Sequence, residues 1–170
     1  MAPGTGGILA LDLSSKRTGW AYGVNLGGLI SGAWRMPAPG PTYGETYNAL
    51  SNAVCDAIDL HKPQMIVCEA PFISVATIGA AEVLLGMWAI VQNIAYLHDI
   101  RCEKRPVVTP RAAVIGTCRF PKGQAKKHVQ QWLQSNGYHY HTDDEADALL
   151  LLLYELGVRA PKPEKARKAA

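Results

Sequence analysis

Four acidic residues lie in or beside strongly apolar segments of this chain, where a carboxylate is costly unless its charge is compensated. Asp12 lies within the apolar run ILALDL, and Glu69 directly follows the apolar run MIVC. Asp144 and Asp147 open the leucine-rich segment DDEADALLLLLYEL. Divalent metal ions held by oxygen ligands are a common form of compensation in proteins. These residue types therefore indicate a metal-dependent enzyme.

The hydrophobic pattern predicts the elements that position these carboxylates. Three short apolar segments separated by turn residues are typical of an antiparallel meander, and later apolar segments alternate with helical periodicity. Thr142 is the expected N-cap of the last helix. Strands are predicted at residues 8–13, 18–24, 29–36, 65–68 and 101–108, and helices at residues 43–61, 74–98, 109–116, 124–135 and 143–156.

This order predicts an α/β fold with a central five-stranded mixed sheet flanked by helices. Asp12 and Glu69 would then lie at the carboxyl ends of neighbouring parallel strands, where open α/β sheets build their sites. Asp144 and Asp147 are three residues apart on a helix and share one face. Oxygen ligands converging there could hold two Mg²⁺ ions roughly 4 Å apart, the arrangement used in phosphoryl transfer.

Each acid also has a plainer interpretation. Asp144, like its neighbours Asp143 and Glu145, could simply be a favourable charge at a helix N-terminus. Glu69 could be a strand-end acid that faces water. Asp12 and Asp147 fit such interpretations less well, because both have apolar neighbours on either side.

The charge distribution adds a second indication. The chain has 170 residues, is 48% hydrophobic and carries a formal charge of only +3, which fits one globular domain. We place that domain at residues 1–158 and predict a basic, disordered tail at residues 159–170. Eight basic residues lie between Arg101 and Lys127 against the single acid Glu103. Such a segment is either a solvated basic face or a surface that binds nucleic acid.

Some classes of protein are disfavoured. Residues 1–7 lack the basic start and apolar stretch of a signal peptide, and the apolar segment 78–97 is interrupted by Glu82, Gln92 and Asn93. We therefore expect a soluble, intracellular protein without a membrane partner. The four cysteines form no Cys-x-x-Cys pair, which disfavours a zinc site.

Three motifs, in this order, resemble those of the RuvC family of Holliday junction resolvases within the RNase H-like nuclease superfamily. That family opens approximately with D-P-G-S-x-x-T-G, and this chain has DLSSKRTG at residues 12–19. Its strand-end Glu followed three positions later by Phe is matched by Glu69 and Phe72. Its closing D-x-x-D-A-L is matched by DEADAL at residues 144–149. The resemblance spans nearly the whole chain, from Ile8 to about Leu156.

The resemblance implies an RNase H-like fold and a metal-dependent endonuclease that resolves Holliday junctions and other branched DNA. Mg²⁺ would be the cofactor, with Mn²⁺ able to substitute, and the catalytic metal ligands would be Asp12, Glu69, Asp144 and Asp147. A homodimer is implied because symmetric nicks in a four-way junction need two active sites. Leu13 and Ser14 replace the usual Pro-Gly, which suggests a distant, phage-type member acting in the cytoplasm of a bacterial or phage-infected cell.

DNA contacts follow from the same resemblance and from the basic segment. The basic residue of the opening motif corresponds to Lys16 or Arg17, and the family's lysine-bearing segment resembles residues 121–126. Phe72 could stack on an unpaired base, or it could belong to the core. The predicted DNA-binding residues are Lys16, Arg17, Phe72, Arg111, Arg119, Lys122, Lys126 and Lys127.

Two further predictions leave alternatives open. His139 and His141 could carry protons or lie beside the metal, and we expect neither to be essential. The helix at residues 74–98 is a candidate dimer surface through Leu84, Leu85, Trp88 and Val91, or it is ordinary core.

Other functions compete with junction resolution. An RNase H-like nuclease acting on RNA–DNA hybrid or structured RNA is the main alternative, and no sequence signature reports 2′-hydroxyl contacts. A sugar-kinase or actin-like ATPase would need two such domains, and the chain has length for one. A catalytically silent DNA-binding module is disfavoured by the intact acidic set.

Overall fold

The computed structural model describes residues 6–38, 42–71 and 78–161. A short helix at Val108–Pro110 continues directly into a π-helical turn at Arg111–Ile115. The strands are β1 (Ile8–Asp12), β2 (Arg17–Gly23), β3 (Ile30–Arg35), β4 (Met65–Glu69) and β5 (Arg101–Arg105), and the helices are α1 (Gly44–His61), α2 (Ile78–Leu97), α3 (Val108–Pro110), α4 (Ala125–Ser135) and α5 (Asp143–Glu155).

The strands form a single five-stranded mixed sheet in the order β3-β2-β1-β4-β5. β1 pairs antiparallel with β2, and β2 pairs antiparallel with β3. β4 lies parallel between β1 and β5. The predicted meander, the central position of β1 and the parallel placement of the Glu69 strand are therefore confirmed. Helices cover both faces of the sheet, as expected where parallel strands need helical crossovers.

Alternation along the strands assigns each side chain to one of two cores. Leu9 and Leu11 of β1 pack with α1 and α2, whereas Ala10 packs with α5 on the opposite face. In β4, Val67 also belongs to the core beneath α5. Since successive side chains point to opposite faces, Asp12 and Glu69 lie on the α5 side of the sheet.

Helix α5 is the central helix of that second face. Its residues from Glu145 to Leu153 are all buried, because the helix packs against β1, β2, β3 and β4. The predicted cap is present: the Thr142 hydroxyl accepts a hydrogen bond from the Glu145 backbone N–H at 3.2 Å. This cap fixes where the helix begins and therefore where Asp144 and Asp147 lie.

Gly19 allows the start of α5 to approach the sheet. It pairs with Asp12 across β1 and β2. A Cβ atom at this position would overlap the backbone carbonyl of Asp144. The absence of a side chain at Gly19 thus brings the first turn of α5 into direct contact with β2 beside Asp12.

The boundaries between the end of β5 and the π-helical turn differ from those predicted. β5 ends at Arg105 instead of residue 108, and Pro106, which follows it, has no N–H to continue the ladder. The helix predicted at residues 109–116 is α3 followed by the π-helical turn. Gly116 ends that turn in the left-handed conformation, with a φ of 91°.

Helix α2 corrects part of the proposed dimer surface. Trp88 is only 7% exposed and Val91 is fully buried, and both pack in the core between α2, α1 and the sheet. They are therefore core residues of a single chain. Leu85 remains 42% exposed. A homodimer stays a prediction.

The chain continues past α5 along the π-helical turn. The Ala160 backbone N–H donates a hydrogen bond to the Ala113 carbonyl at 2.7 Å, so the start of the predicted tail packs on the domain. Residues 162–170 lie outside the described residues. Within the described ranges, no helix combines the length and apolar content needed to cross a membrane.

Gly19→Ala should lower the free energy of unfolding by about 1–3 kcal/mol, since the added methyl group must displace the first turn of α5. Urea unfolding followed by circular dichroism measures this change. Gly28→Ala is the matched control, because a Cβ there meets no atom within 4 Å. Equal stabilities for the two variants would contradict the close approach of α5 to β2.

Candidate active site

Asp12 and Glu69 lie side by side at the ends of adjacent parallel strands. The register pairs Leu11 with Cys68, one residue before each acid. Both carboxylates line a small cavity of about 180 Å³. This is the position at the carboxyl end of the sheet that the sequence predicts for them.

Asp144 and Asp147 approach the same place from the first turns of α5. Asp147 is only 7% exposed. Asp144 is half-buried and faces a wider groove. The charges of Glu69, Asp147 and Asp144 each act on Asp12, which places the four acids within one electrostatic site.

The carboxylates disfavour one another's ionisation. Burial raises the pKa of Asp12 well above its ordinary value, and the three neighbouring acids raise it further. Burial also raises the pKa of Glu69, together with the charge of Asp147, to about 7. The pKa of Asp147 is raised by burial, although two cations oppose the shift. The site therefore carries negative charge that the protein only partly compensates.

Arg111 and Lys126 supply the partial compensation. Arg111 Nη2 lies 3.3 Å from Asp147 Oδ1, and Lys126 Nζ lies 4.0 Å from Asp147 Oδ2. Arg111 belongs to the π-helical turn, a feature that is frequent at functional sites. Among the described residues, its buried Nε atom has no hydrogen-bond partner, so the guanidinium is incompletely satisfied. Both residues were predicted DNA contacts, and the structure places them at the carboxylates.

The donor set fits a hard divalent cation. Carboxylate oxygens are the ligands that Mg²⁺ and Mn²⁺ prefer, and a cation would offset the burial and the mutual repulsion that raise the pKa values of Asp12 and Glu69. Within residues 6–38, 42–71 and 78–161, no three acidic, histidine or cysteine side chains are close enough together to hold an ion. The metal-ligand assignment therefore stays a prediction.

A wide groove of about 790 Å³ is lined by Asp143 and Asp144 at the start of α5 and by Lys126, which also approaches Asp147. Four basic residues also line the groove and form its basic rim. In the rim, Arg17 and Arg35 are paired across β2 and β3, and both are exposed. The basic residues that line the groove are Lys16, Arg17, Arg35 and Lys126. Such a surface attracts an anionic chain.

Arg35 is a site residue that the sequence predictions missed. Its only sequence signal is the register of the β2–β3 hairpin, which places it opposite Arg17. A single Arg at the end of a predicted strand carries no such information by itself. The pairing across the sheet shows that Arg35 extends the basic rim.

The other predicted contacts are more dispersed. Arg119 and Lys122 lie in an exposed loop, and Lys127 is exposed on α4. None of these three lines the wide groove. His141 lines that groove, whereas His139 lines a separate cavity beside Tyr138. Phe72 lies outside the described residues.

Glu69→Gln should stabilise the metal-free protein, with an effect that depends on pH. Folding raises the pKa of Glu69 to about 7, whereas an unfolded Glu titrates near about 4.3, so ionised Glu69 opposes folding. The advantage of Gln should be small at pH 4.5 and reach on the order of 2 kcal/mol at pH 8.

Unfolding by urea in EDTA at both pH values measures this difference. Glu45→Gln, at an exposed position of α1, is the control and should show no such gain. An unchanged or lower stability of Glu69→Gln at pH 8 would contradict the charged cluster.

Neither protein-family models nor curated protein sequences match the chain. Among solved structures, RuvC of Thermus thermophilus bound to a Holliday junction substrate matches with a TM-score of 0.70 and 14% identity, covering 88% of this chain and 94% of that one. A second structure of Thermus thermophilus RuvC gives a TM-score of 0.68 at 14% identity, covering 92% and 99%.

The yeast mitochondrial Holliday junction resolvase Ydc2 is also similar, with a TM-score of 0.60 and 11% identity over 87% of this chain and 76% of that one. At such low identity, the likeness establishes the architecture. The chain therefore has the RNase H-like fold of the RuvC Holliday junction resolvases, as its three motifs predict.

Proposed function

We propose that this chain is a metal-dependent, structure-selective endonuclease that resolves Holliday junctions and other branched DNA by hydrolysing phosphodiesters. The observation that carries the proposal is the cluster of partly compensated carboxylates, one of which, Asp144, lines a groove together with four basic residues. Its setting in the fold of junction resolvases supports the choice of substrate. No observation on this chain favours RNA over DNA.

Asp12, Glu69, Asp144 and Asp147 are the proposed ligands of Mg²⁺ or Mn²⁺. When bound, the metal would activate water and stabilise the charge that develops on the leaving oxygen. The protein's part is to hold the acids in place and to keep the site partly dry. Asp12 is the central ligand in this scheme, because all three other acids act on its pKa.

Arg111 and Lys126 have a second role in this proposal. Both compensate the carboxylates in the metal-free protein. A bound phosphodiester brings further negative charge to the same place, and these two cations are positioned to stabilise it. Lys126 also lines the wide groove, so it connects the carboxylates with the path of the DNA.

The wide groove is the proposed path of the cleaved strand. Lys16, Arg17 and Arg35 on its rim would contact phosphates on either side of the scissile bond, which fixes register without reading sequence. The predicted contacts Arg119, Lys122 and Lys127 lie outside the groove and would bind a neighbouring arm. Phe72 remains a proposed stacking residue.

Two symmetric nicks require two active sites, so we also propose that the active form is a homodimer. Its interface must use residues other than Trp88 and Val91, which the core of the single chain already buries.

Asp12→Asn should abolish metal-dependent cleavage of a four-way junction while leaving junction binding nearly intact. The physical reason is that Asn keeps the shape of the side chain but removes the charge that a metal ion needs. Labelled junction, linear duplex and RNA–DNA hybrid are incubated with Mg²⁺, Mn²⁺ or EDTA, and products are separated by size.

Asp59→Asn is the matched control, since Asp59 is an exposed acid on α1 with a 73% exposed side chain. Paired nicks in the junction that need metal and Asp12, but not Asp59, would support the proposal. Cleavage that persists in Asp12→Asn would overturn the assignment. Preferential cutting of the hybrid would replace junction resolution with an RNase H activity.

Arg35→Gln should weaken junction binding and reduce the slope of log Kd against log salt concentration by about 1, because one phosphate contact is lost. Fluorescence anisotropy with labelled junction at several salt concentrations measures both quantities. Lys62→Gln is the control, because it removes an exposed cation that already pairs with Asp59. It should change neither the junction Kd nor its dependence on salt. Equal slopes for wild type and Arg35→Gln would exclude a phosphate contact at Arg35.

A further inference from the structure

Glu145 is a buried acid beside the proposed metal ligands that the mechanism does not use. Glu145 is only 2% exposed. One carboxylate oxygen accepts a hydrogen bond from Ser31 Oγ at 2.8 Å, and the other accepts one from the His141 backbone N–H, also at 2.8 Å. These contacts join the first turn of α5 to β3 and to the loop before the helix.

Burying a carboxylate in this way is unfavourable without strong compensation. Among the described residues, the basic side chain that approaches it is that of His141, whose ring nitrogen lies 3.5 Å away and which is 88% exposed. Neutral donors therefore provide most of the contacts. A buried acid held by specific neutral donors indicates that the position of the first turn of α5 matters.

The contacts of Glu145 complete a reciprocal cap. Its backbone N–H donates to Thr142 Oγ1, while its side chain reaches back to the N–H of His141. In an ordinary capping box, the side chain would bond the N-cap residue itself. Here it bonds one residue earlier and also reaches Ser31, 114 positions away in sequence. The cap is thus attached to the sheet.

Gly19 provides the complementary contact on β2. The backbone of Asp144 rests directly on this residue, which pairs with Asp12. The first turn of α5 is therefore held at two points, by the Gly19 surface beneath it and by Ser31 through Glu145. Asp144 and Asp147 lie on either side of Glu145 on that turn.

We propose that Glu145, together with Ser31, is a positioning residue that anchors the first turn of α5 to the sheet, and so holds Asp144 and Asp147 on the side of the strand ends where Asp12 lies. This inference rests on the proposed function. Both carboxylate oxygens of Glu145 are bonded to Ser31 and His141, so its proposed role is to place α5 and not to bind the metal itself. Removing such an outer contact to a metal site typically lowers metal affinity by about 10–100-fold.

The test uses the full chain and measures Mn²⁺ and Mg²⁺ affinity by calorimetry, beside thermal unfolding in EDTA. Ser31→Ala should raise the metal Kd by about tenfold or more, and Ser31→Thr, which keeps a hydroxyl, should restore most of the affinity. Ser135→Ala, at an exposed position of α4, is the control. Junction cleavage by Ser31→Ala should need more Mg²⁺ but recover at saturation.

Glu145→Gln is the second variant and tests the same contact without removing Ser31. Its amide has one acceptor oxygen for two donors, so metal affinity should again fall. In the double variant, the metal Kd should rise by less than the product of the two single effects, because both substitutions disturb the same Ser31–Glu145 hydrogen bond.

Metal affinity equal to wild type in Ser31→Ala and Glu145→Gln, even with lower thermal stability, would overturn the inference by showing a merely structural role. A wild-type protein that binds no metal would instead contradict the proposed function. These two failures are therefore distinguishable.

Discussion

The burial of several carboxylates together at one end of the sheet is the constraint on which the rest of this structure depends. Asp12, Glu69 and Asp147 all have raised pKa values, and burial is the largest cause for each. Folding brings these groups together although their charges oppose it. Arg111 and Lys126 lie at the cluster and lower that opposition. The protein thus gives up stability at the place where we propose that a cation binds.

The architecture around the cluster follows from the need to bring a helix close to two strand ends. β1 and β2 present Ala10, Ala21 and Gly19 beneath α5, and these small residues let its first turn approach Asp12. The leucines of α5 are then buried against the sheet, which stabilises the helix that carries two of the acids. The buried leucines and the two acids lie on the same helix. The favourable burial of the leucines therefore holds Asp144 and Asp147 in place although their charges are unfavourable there.

The same fold is found in structures that share 11–14% identity with this chain. Most core side chains can therefore be exchanged while the sheet order is kept, because burial demands apolar character and volume more than particular residues. In the proposed function the acid spacing is more demanding, because the four carboxylates would have to act on one metal site. This explains how three short motifs predict an architecture that overall sequence similarity does not reveal.

Local sequence determined much of this protein. Alternating apolar residues, turn signals and the Thr142 cap defined the strands, the helices and the faces on which the acids lie, because these features depend on neighbours a few residues apart. Their order then predicted the sheet topology and the meeting of Asp12 with Glu69.

Only the tertiary structure decided which side chains meet over long separations. Glu145 could not be distinguished by sequence from an ordinary helix N-terminal acid, because its partner Ser31 lies on a distant strand. The pairing of Arg111 with Asp147 depends on the π-helical turn, and Arg35 joins the groove through cross-strand register. Burial of Trp88 and Val91 likewise depends on how α2 packs. Such contacts are set by the relative placement of whole elements, which local patterns do not specify.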